Sequence, residues 1–401
     1  VWFVWLGAAL VLLVAGGLYA RRRVATALLA VGVGGRAVRV VRWAMVWLLF
    51  GYPLLVVLAI VASLLVGRDT LPRFDGLVTS WLLVVPFAWA MLVVFQALPW
   101  LLAIDVAHAV VRRRRGGASA ARLRARLVLA VVGVFAIYTP VRIAVEHGDL
   151  RVRHHRVEAA EPSGQAPFRI AFVADVQQDV HTDGDRARSV YRKVNAGAPD
   201  LILAGGDWIN TGPDHIQEAA AAASELHSRL GTFSVRGDHE HFAYVDRRRS
   251  VAEVERAMRR HGVAMLNNEV RWFAHGGKRI AVLFLGYNYI ERADPATIDA
   301  LVASAAGADY SIAVSHQLDA ALFAHLEGRV DLVLAGHTHG GQVNPVLGLW
   351  HVAPARLETE FIDGRYRRGT TTIIVTAGVG YSIVPFRYAA PGSIELIDLM
   401  L

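Results

Sequence analysis

The chain has 401 residues, too many for one ordinary core, and 54% of them are hydrophobic. It contains no cysteine, which excludes a disulfide framework, a thiolate metal site and a cysteine nucleophile. A formal net charge of +8 raises nucleic acid as a partner, but the arginines responsible flank apolar runs and no nucleic-acid-binding motif accompanies them. Nucleic acid is therefore not an expected partner.

The apolar excess lies in the first 146 residues. A membrane helix needs roughly 20 mostly apolar residues, and four stretches qualify: about 1–20, 42–66, 79–104 and 127–146. Val24 to Gly35 is apolar but too short to cross, which predicts a loop or an interfacial segment. The spans lack internal charge pairs of the kind a transport pathway requires. The connection after the first span carries six arginines, counting Arg42 at its boundary, and that after the third carries seven, whereas 67–78 carries only Arg68 and Arg73, offset by Asp69 and Asp75. By the positive-inside rule the two rich connections are cytoplasmic. Everything after the fourth span then lies outside, in a multi-pass protein of the cell membrane.

Residues 147–167 read as a tether. Val152, His154 and Val157 alternate weakly, as in a first strand, and 161–167 (EPSGQAP) has the composition of a turn or linker. From Phe168 the pattern becomes that of a globular domain, 168–401. Short β-branched runs at 169–174, 201–204, 233–235, 280–286, 311–314, 332–335, 372–377 and 393–399 predict strands. The Ala/Arg/Glu-rich segments between them, such as 214–229 and 250–261, predict helices. The fold class is α/β, with strands enclosed by helices.

Polar residues gather just past the C-terminal ends of these runs, where open α/β sheets place their sites. In chain order they are Asp175-Val176-Gln177, Gly205-Gly206-Asp207, Gly237-Asp238-His239-Glu240, Ser315-His316, and Gly336-His337-Thr338-His339-Gly340-Gly341-Gln342. Five strand ends that each deliver an Asp or a His suit a pair of divalent cations.

This order resembles the calcineurin-like metallophosphoesterases, whose pattern is D-x-H, GD, GNH[DE], H and GHxH. It looks most like the bacterial membrane-associated branch ending GHTHGGQ, with Ser315, His316 and Asp319 and a late Gly378, Gly380, Pro385, Arg387 segment. The resemblance implies a helix-flanked β-sandwich that hydrolyses a phosphomonoester or phosphodiester. It places Asp175, Asp207 and His339 on a first metal, and Asp207, His316 and His337 on a second, with Asp207 bridging. His239 becomes the catalytic histidine that contacts phosphate and protonates the leaving oxygen. Tethering to the bilayer points to a lipid-linked or membrane-associated substrate.

Two departures stand out. Gln177 replaces a histidine on the first metal and Asp238 an asparagine on the second. Oxygen replaces nitrogen and a carboxylate is added, so Mn²⁺, Fe²⁺ or Mg²⁺ is favoured over Zn²⁺. The opposing reading is a catalytically weakened membrane receptor or regulator that binds a phosphorylated ligand through the metal. Arg387 is a candidate phosphate clamp, weighed against a structural ion pair. Trp208 and Tyr381 read as core, His181, Asp179 and Asp183 as solvated loop, and His154 and His155 as surface. Glu240 reads as orienting His239, and Asp105 and His108 as a cytoplasmic helix end. The sequence leaves the oligomeric state open.

Overall fold

The computed structural model describes residues 2–70, 72–74, 76–115, 117–159 and 166–401, with side chains from Leu13 onward except at 112–118. Most of the expected linker, 161–165, lies outside the described residues. The chain divides into two compact units. The first comprises Val1–Val66, Gly76–His147 and Asn344–Val352; the second comprises Gly67–Asp75, Gly148–Val343 and Ala353–Leu401.

The first unit is built on apolar helices. Among the described residues three are long and apolar enough to cross a membrane: Gly35–Val66, Leu77–Val111 and Ser119–Glu146. The first expected span falls in the helix Trp2–Ala30, most of whose early side chains lie outside the described residues. Val24 to Ala30 continues that helix, which corrects the expected loop. Its alanines and leucines are strong helix formers, and only Gly32 breaks the run. Small residues line the packed faces, with Ala20, Ala27, Ala90, Ala97 and Ala125 all buried in one cluster. Small side chains let helix backbones approach closely where lipid supplies no hydrophobic drive. Asp105 does more than end a helix. It pairs with Arg23 and, at 2.7 Å, with Arg124, and accepts from the Tyr19 hydroxyl at 2.6 Å.

The second unit is a β-sandwich. In chain order its strands begin with β1 (Leu150–Glu158), β2 (Phe168–Val173), β3 (Leu201–Ala204), β4 (Thr232–Ser234) and β5 (Val263–Met265). β6 (Glu269–His275), β7 (Lys278–Leu285), β8 (Tyr310–Ser315) and β9 (Leu332–Ala335) follow. After the short pair β10 (Val346–Leu347) and β11 (Trp350–His351) come β12 (Gly364–Arg368), β13 (Thr371–Val375) and β14 (Gly392–Met400). One sheet runs β1-β14-β2-β3-β4-β5 and the other β12-β13-β9-β8-β7-β6.

The period of two in each strand decides its layers. Phe168, Ile170 and Phe172 face the inter-sheet core, where they meet Ile280, Val282, Phe284, Ile312, Val314, Leu332 and Leu334. Their neighbours Ala171 and Val173 face outward onto the helices Gly184–Ala196, Ile216–Ala223 and Arg247–Arg260. On the far sheet Ala281, Leu283, Ala313 and Val333 pack under Pro295–Ser304 and Ala320–Leu326. Every expected strand is present, and the helices cover both outer faces.

Two chain segments cross the sequence boundary between the units. The segment Gly67–Asp75, which joins two apolar helices, belongs to the sandwich unit: the Val245 N–H donates to Asp69 O at 2.8 Å, and Arg73 donates to Thr211 O at 3.4 Å and pairs with Asp214. The hairpin β10–β11 belongs to the helical unit.

Candidate metal centre

Each polar motif leaves the C-terminal end of a strand. Asp175 and Gln177 follow β2, Asp207 follows β3, Asp238 and His239 follow β4, His316 follows β8, and His337 and His339 follow β9. The parallel pairing of β2 with β3, β3 with β4, and β8 with β9 turns these ends to one edge of the sandwich. The backbone there is unusual. Ten non-glycine residues have positive φ among the described residues, and Asp175, Gln177, Asp207, His337 and His339 are five of them. A left-handed conformation is costly without glycine and persists where surrounding structure enforces it, most often at functional sites. Glycines supply the room. An added Cβ at Gly206 would collide with the Gly237 nitrogen, and one at Gly237 with Asp207 Oδ1.

The side chains converge. His316 Nε2 lies 3.5 Å from Asp207 Oδ2 and 3.3 Å from Asp238 Oδ2. His337 Nδ1 lies 3.0 Å from the same Asp238 oxygen. His339 Nε2 lies 3.8 Å from Asp175 Oδ1 and 3.2 Å from Gln177 Nε2. Among the described residues, two groups have ligand atoms within 4.8 Å of one another, Asp238-His316-His337 and Asp175-Asp207-His316. Asp175, Gln177, Asp207, Asp238, His316 and His339 are buried and His337 is half-buried. His239 sits at the rim, its Nε2 4.0 Å from Asp207 Oδ2. Its Nδ1 bonds the Asn210 carbonyl, so that nitrogen carries the proton and Nε2 is left to face the cluster.

Several supporting residues carry no sequence signal of their own. Glu240 is fully buried and accepts from the N–H groups of Asp207, Trp208 and Gly237 at 3.0, 2.7 and 2.6 Å. It therefore holds the two turns that carry Asp207 and Asp238; the expected action on His239 is indirect. Asp179 is buried as well, contrary to a solvated loop, and accepts from Asn210 Nδ2 at 2.7 Å. Asp183, by contrast, is exposed at the helix start and caps it through Arg186 N. Tyr289 N donates to Asp238 Oδ1 at 2.7 Å, and the half-exposed Tyr289 ring meets His337 edge-on at 4.8 Å. Glu358 Oε1 lies 3.0 Å from His337 Nε2.

Arg387 departs from the phosphate clamp. It is 3% exposed and donates to the carbonyls of His339, Ala390 and Gly380, so it props the loop that carries His339. Trp208 is core, its indole N–H donating to Ser234 Oγ at 2.9 Å, and Tyr381 is buried. His155 is no surface residue, since it pairs at 2.7 Å with the buried Glu395.

The electrostatics ask for cations. Burial pushes the Asp175 carboxyl up to about 6, opposed by His316. His316 is raised well above its ordinary value because Asp207, Asp238 and Asp175 outweigh the effect of its burial. Burial would also lower His337, but Asp238 and Glu358 hold it up at about 9. Protons on imidazoles here balance a cluster of carboxylates, a task divalent cations perform while freeing the rings to ligate. One atom tests the fit. Gln177 Oε1 is buried without a hydrogen-bond partner, while its Nε2 faces Asp207 Oδ2 at 3.1 Å. Amide ends are assigned from their neighbours. Turned end for end, this amide aims an oxygen at Asp207 and His339, as a ligand to a shared cation would. The donor set of carboxylates, imidazoles and one amide fits metal.

Residues 168–341 match the profile of the calcineurin-like phosphoesterase family. A metallophosphoesterase of Campylobacter jejuni is 28% identical over 284 residues, covering 69% of this chain and 70% of that protein. A transmembrane protein with a metallophosphoesterase domain from Bos taurus is 27% identical over 285 residues, covering 68% of this chain. The chain spans 60% of that bovine protein's length. Among solved structures, a dimetal phosphatase from Danio rerio overlays with a TM-score of 0.34 at 13% identity, covering 54% of this chain and 88% of that one.

Proposed function

We propose that this protein is a membrane-held hydrolase of phosphomonoesters or phosphodiesters that works with two divalent cations. The observation that carries the reading is the convergence of Asp175, Asp207, Asp238, His316 and His337 at one sandwich edge. Asp175, Gln177, Asp207 and His339 would hold the first cation and Asp238, His316 and His337 the second, with Asp207 placed to serve both. Divalent cations held there would supply Lewis-acid chemistry to the phosphoryl group and its attacking water. His239 does the protein's own share of the chemistry: with Nδ1–H fixed on Asn210 O, its imidazolium form carries a second proton on Nε2, which it gives to the leaving oxygen, ending as the neutral ring. Glu240 and Arg387 keep the ligand-bearing turns in place. The oxygen-rich donor set favours Mn²⁺, Fe²⁺ or Mg²⁺.

The catalytic unit is assigned to the extracytoplasmic side of a multi-pass protein. The arginine-rich connections support this, and so do the hydrogen bonds of Asp69 and Arg73 within the sandwich unit. Those bonds require the 67–75 segment and the catalytic unit to lie on one side of the membrane.

The test is a panel of chromogenic mono- and diesters assayed with each cation added to metal-free protein. Turnover of either ester class with Mn²⁺, Fe²⁺ or Mg²⁺ supports the reading. Binding of metal and phosphate without turnover under any condition would establish the receptor instead.

A further inference from the structure

The segment directly after the GHTHGGQ motif is unaccounted for by phosphoester chemistry. Residues Asn344–Val352 form the hairpin β10–β11, which pairs Val346 with His351 and Leu347 with Trp350 and belongs to the unit of apolar helices. Its tip is apolar and open: Leu349 is 80% exposed and Trp350 74%. A soluble loop gains nothing from such a tip.

Its depth follows from one polar triad. The Val346 N–H donates to Gln96 Oε1 at 3.4 Å, and Gln96 Nε2 donates to Thr139 Oγ1 at 3.0 Å. Gln96 and Thr139 are both fully buried, and each lies inside a helix able to cross a membrane, Leu77–Val111 and Ser119–Glu146. Thr139 stands seven residues before the helix end at Glu146, about 10 Å along the axis at 1.5 Å per residue. Residues on either side of it, Ile137 and Val141, are 68% and 54% exposed, as lipid-facing positions are. Arg126 stands thirteen residues before Thr139 on the other side, about 20 Å away. From Arg126 to the Arg142–Glu146 ion pair that closes the outer end, the helix covers roughly 24–30 Å, close to the ~30 Å hydrocarbon thickness. β10 therefore meets the helices below the level of their outer ends. Backbone at that depth needs partners, and part of the hairpin's is paired: β10 with β11, and Val352 N donating to Pro345 O at 2.9 Å.

We propose that β10–β11 is immersed in the outer leaflet with Leu349 and Trp350 among acyl chains. Resting on the phosphoesterase reading, we further infer that the substrates are phosphoesters carried on an apolar chain. Four residues separate His339 from Asn344, so the five Cα steps between them span at most roughly 17 Å of extended chain from a metal-site residue to the immersed hairpin. A headgroup phosphate still seated in its leaflet is within that compass, and a tryptophan at the hairpin tip suits the interface.

The chain has no cysteine, so a fluorophore can be placed singly at Leu349→Cys, Ile137→Cys or Ala306→Cys in the full-length protein. In nanodiscs of phosphatidylcholine and phosphatidylglycerol with brominated acyl chains, the Leu349 label is quenched as strongly as the Ile137 label. The exposed Ala306 label, in the sandwich unit, stays bright. A Leu349 label as bright as that at Ala306 overturns the immersion. For the substrate class, ethyl and hexadecyl versions of an ester hydrolysed in the panel are compared. Leu349→Asp with Trp350→Asp lowers hexadecyl turnover in nanodiscs about tenfold or more and leaves ethyl turnover unchanged. Equal effects on both esters overturn the lipid assignment. A wild type silent on every ester defeats the phosphoesterase reading alone, because quenching still decides where the hairpin lies.

Discussion

At the residue scale, what distinguishes this site is how much of it is oxygen and how firmly it is held. Glu240 is the anchor. Its carboxylate accepts three buried N–H groups, from Asp207, Trp208 and Gly237, so Glu240→Gln replaces an acceptor with a donor aimed at donors. Loss of such a support costs about 10–100-fold in metal affinity, to be read by titrating metal into the variant, while circular dichroism remains that of wild type. The two unusual ligands are tested together. Gln177→His with Asp238→Asn returns a nitrogen donor and removes a negative charge. The double variant stays active and shifts its preference from manganese towards zinc, which turnover across Mn²⁺, Mg²⁺, Fe²⁺ and Zn²⁺ will show. A silent wild type rescued by this pair of changes would mean that the wild-type site has decayed.

The positions that converge were legible in the sequence because strand ends put Asp and His residues next to short β-branched runs. Glu240, Asn210, Tyr289 and Glu358 were harder. Glu240 stands beside a motif residue, yet nothing in the string says that its carboxylate turns away from His239 to the backbone of Asp207. Asn210 acts through its carbonyl, which every residue has. Tyr289 and Glu358 reach the cluster from loops distant in sequence, Tyr289 through its own N–H, which donates to Asp238 Oδ1, and Glu358 through His337. Arg387 misled for a related reason, since a buried guanidinium satisfying carbonyls and an exposed one awaiting phosphate look alike as a letter.

At the scale of elements, the turns after β3 and β4 are the most constrained pieces of the fold. Gly237 has no space for a Cβ, because Asp207 Oδ1 occupies it. Gly237→Ala forces the Asp207 carboxylate aside and costs about 1–3 kcal/mol through overpacking. The midpoint of thermal unfolding of the catalytic unit falls, and bound metal falls with it. An unchanged midpoint with full metal content would show that these turns are slack. Strands with two buried faces, such as β3 and β9, were plain in the sequence as unbroken apolar runs. β6 and β12 were not, for they are edge strands of mixed polarity, and β10–β11 is too short for any period to register.

At the scale of the whole molecule, apolar composition separated a helical half from a sandwich half, and the chain then complicates that division twice. The segment 67–75 joins the sandwich unit and the hairpin 344–352 joins the helical one. Neither exchange leaves a trace in composition, because each is decided by a few hydrogen bonds. Sidedness has its own test. With an impermeant thiol reagent on intact cells, Ala306→Cys is modified and Ser119→Cys is modified only after the membrane is opened; the reverse pattern would put the catalytic unit in the cytoplasm.

The central claim is that Asp207 joins two cations into one hydrolytic site, and a single paired measurement addresses it. Asp207 has φ of 59°, a conformation that asparagine tolerates well, so Asp207→Asn removes the charge without straining the turn. Metal content per chain and phosphoester turnover are measured on wild type and variant purified side by side. The account predicts two cations and turnover in the wild type. In the variant it predicts reduced occupancy of both sites and a rate lower by more than about a hundredfold, beyond the range seen for supporting residues. A variant that keeps two cations per chain and the wild-type rate would contradict it.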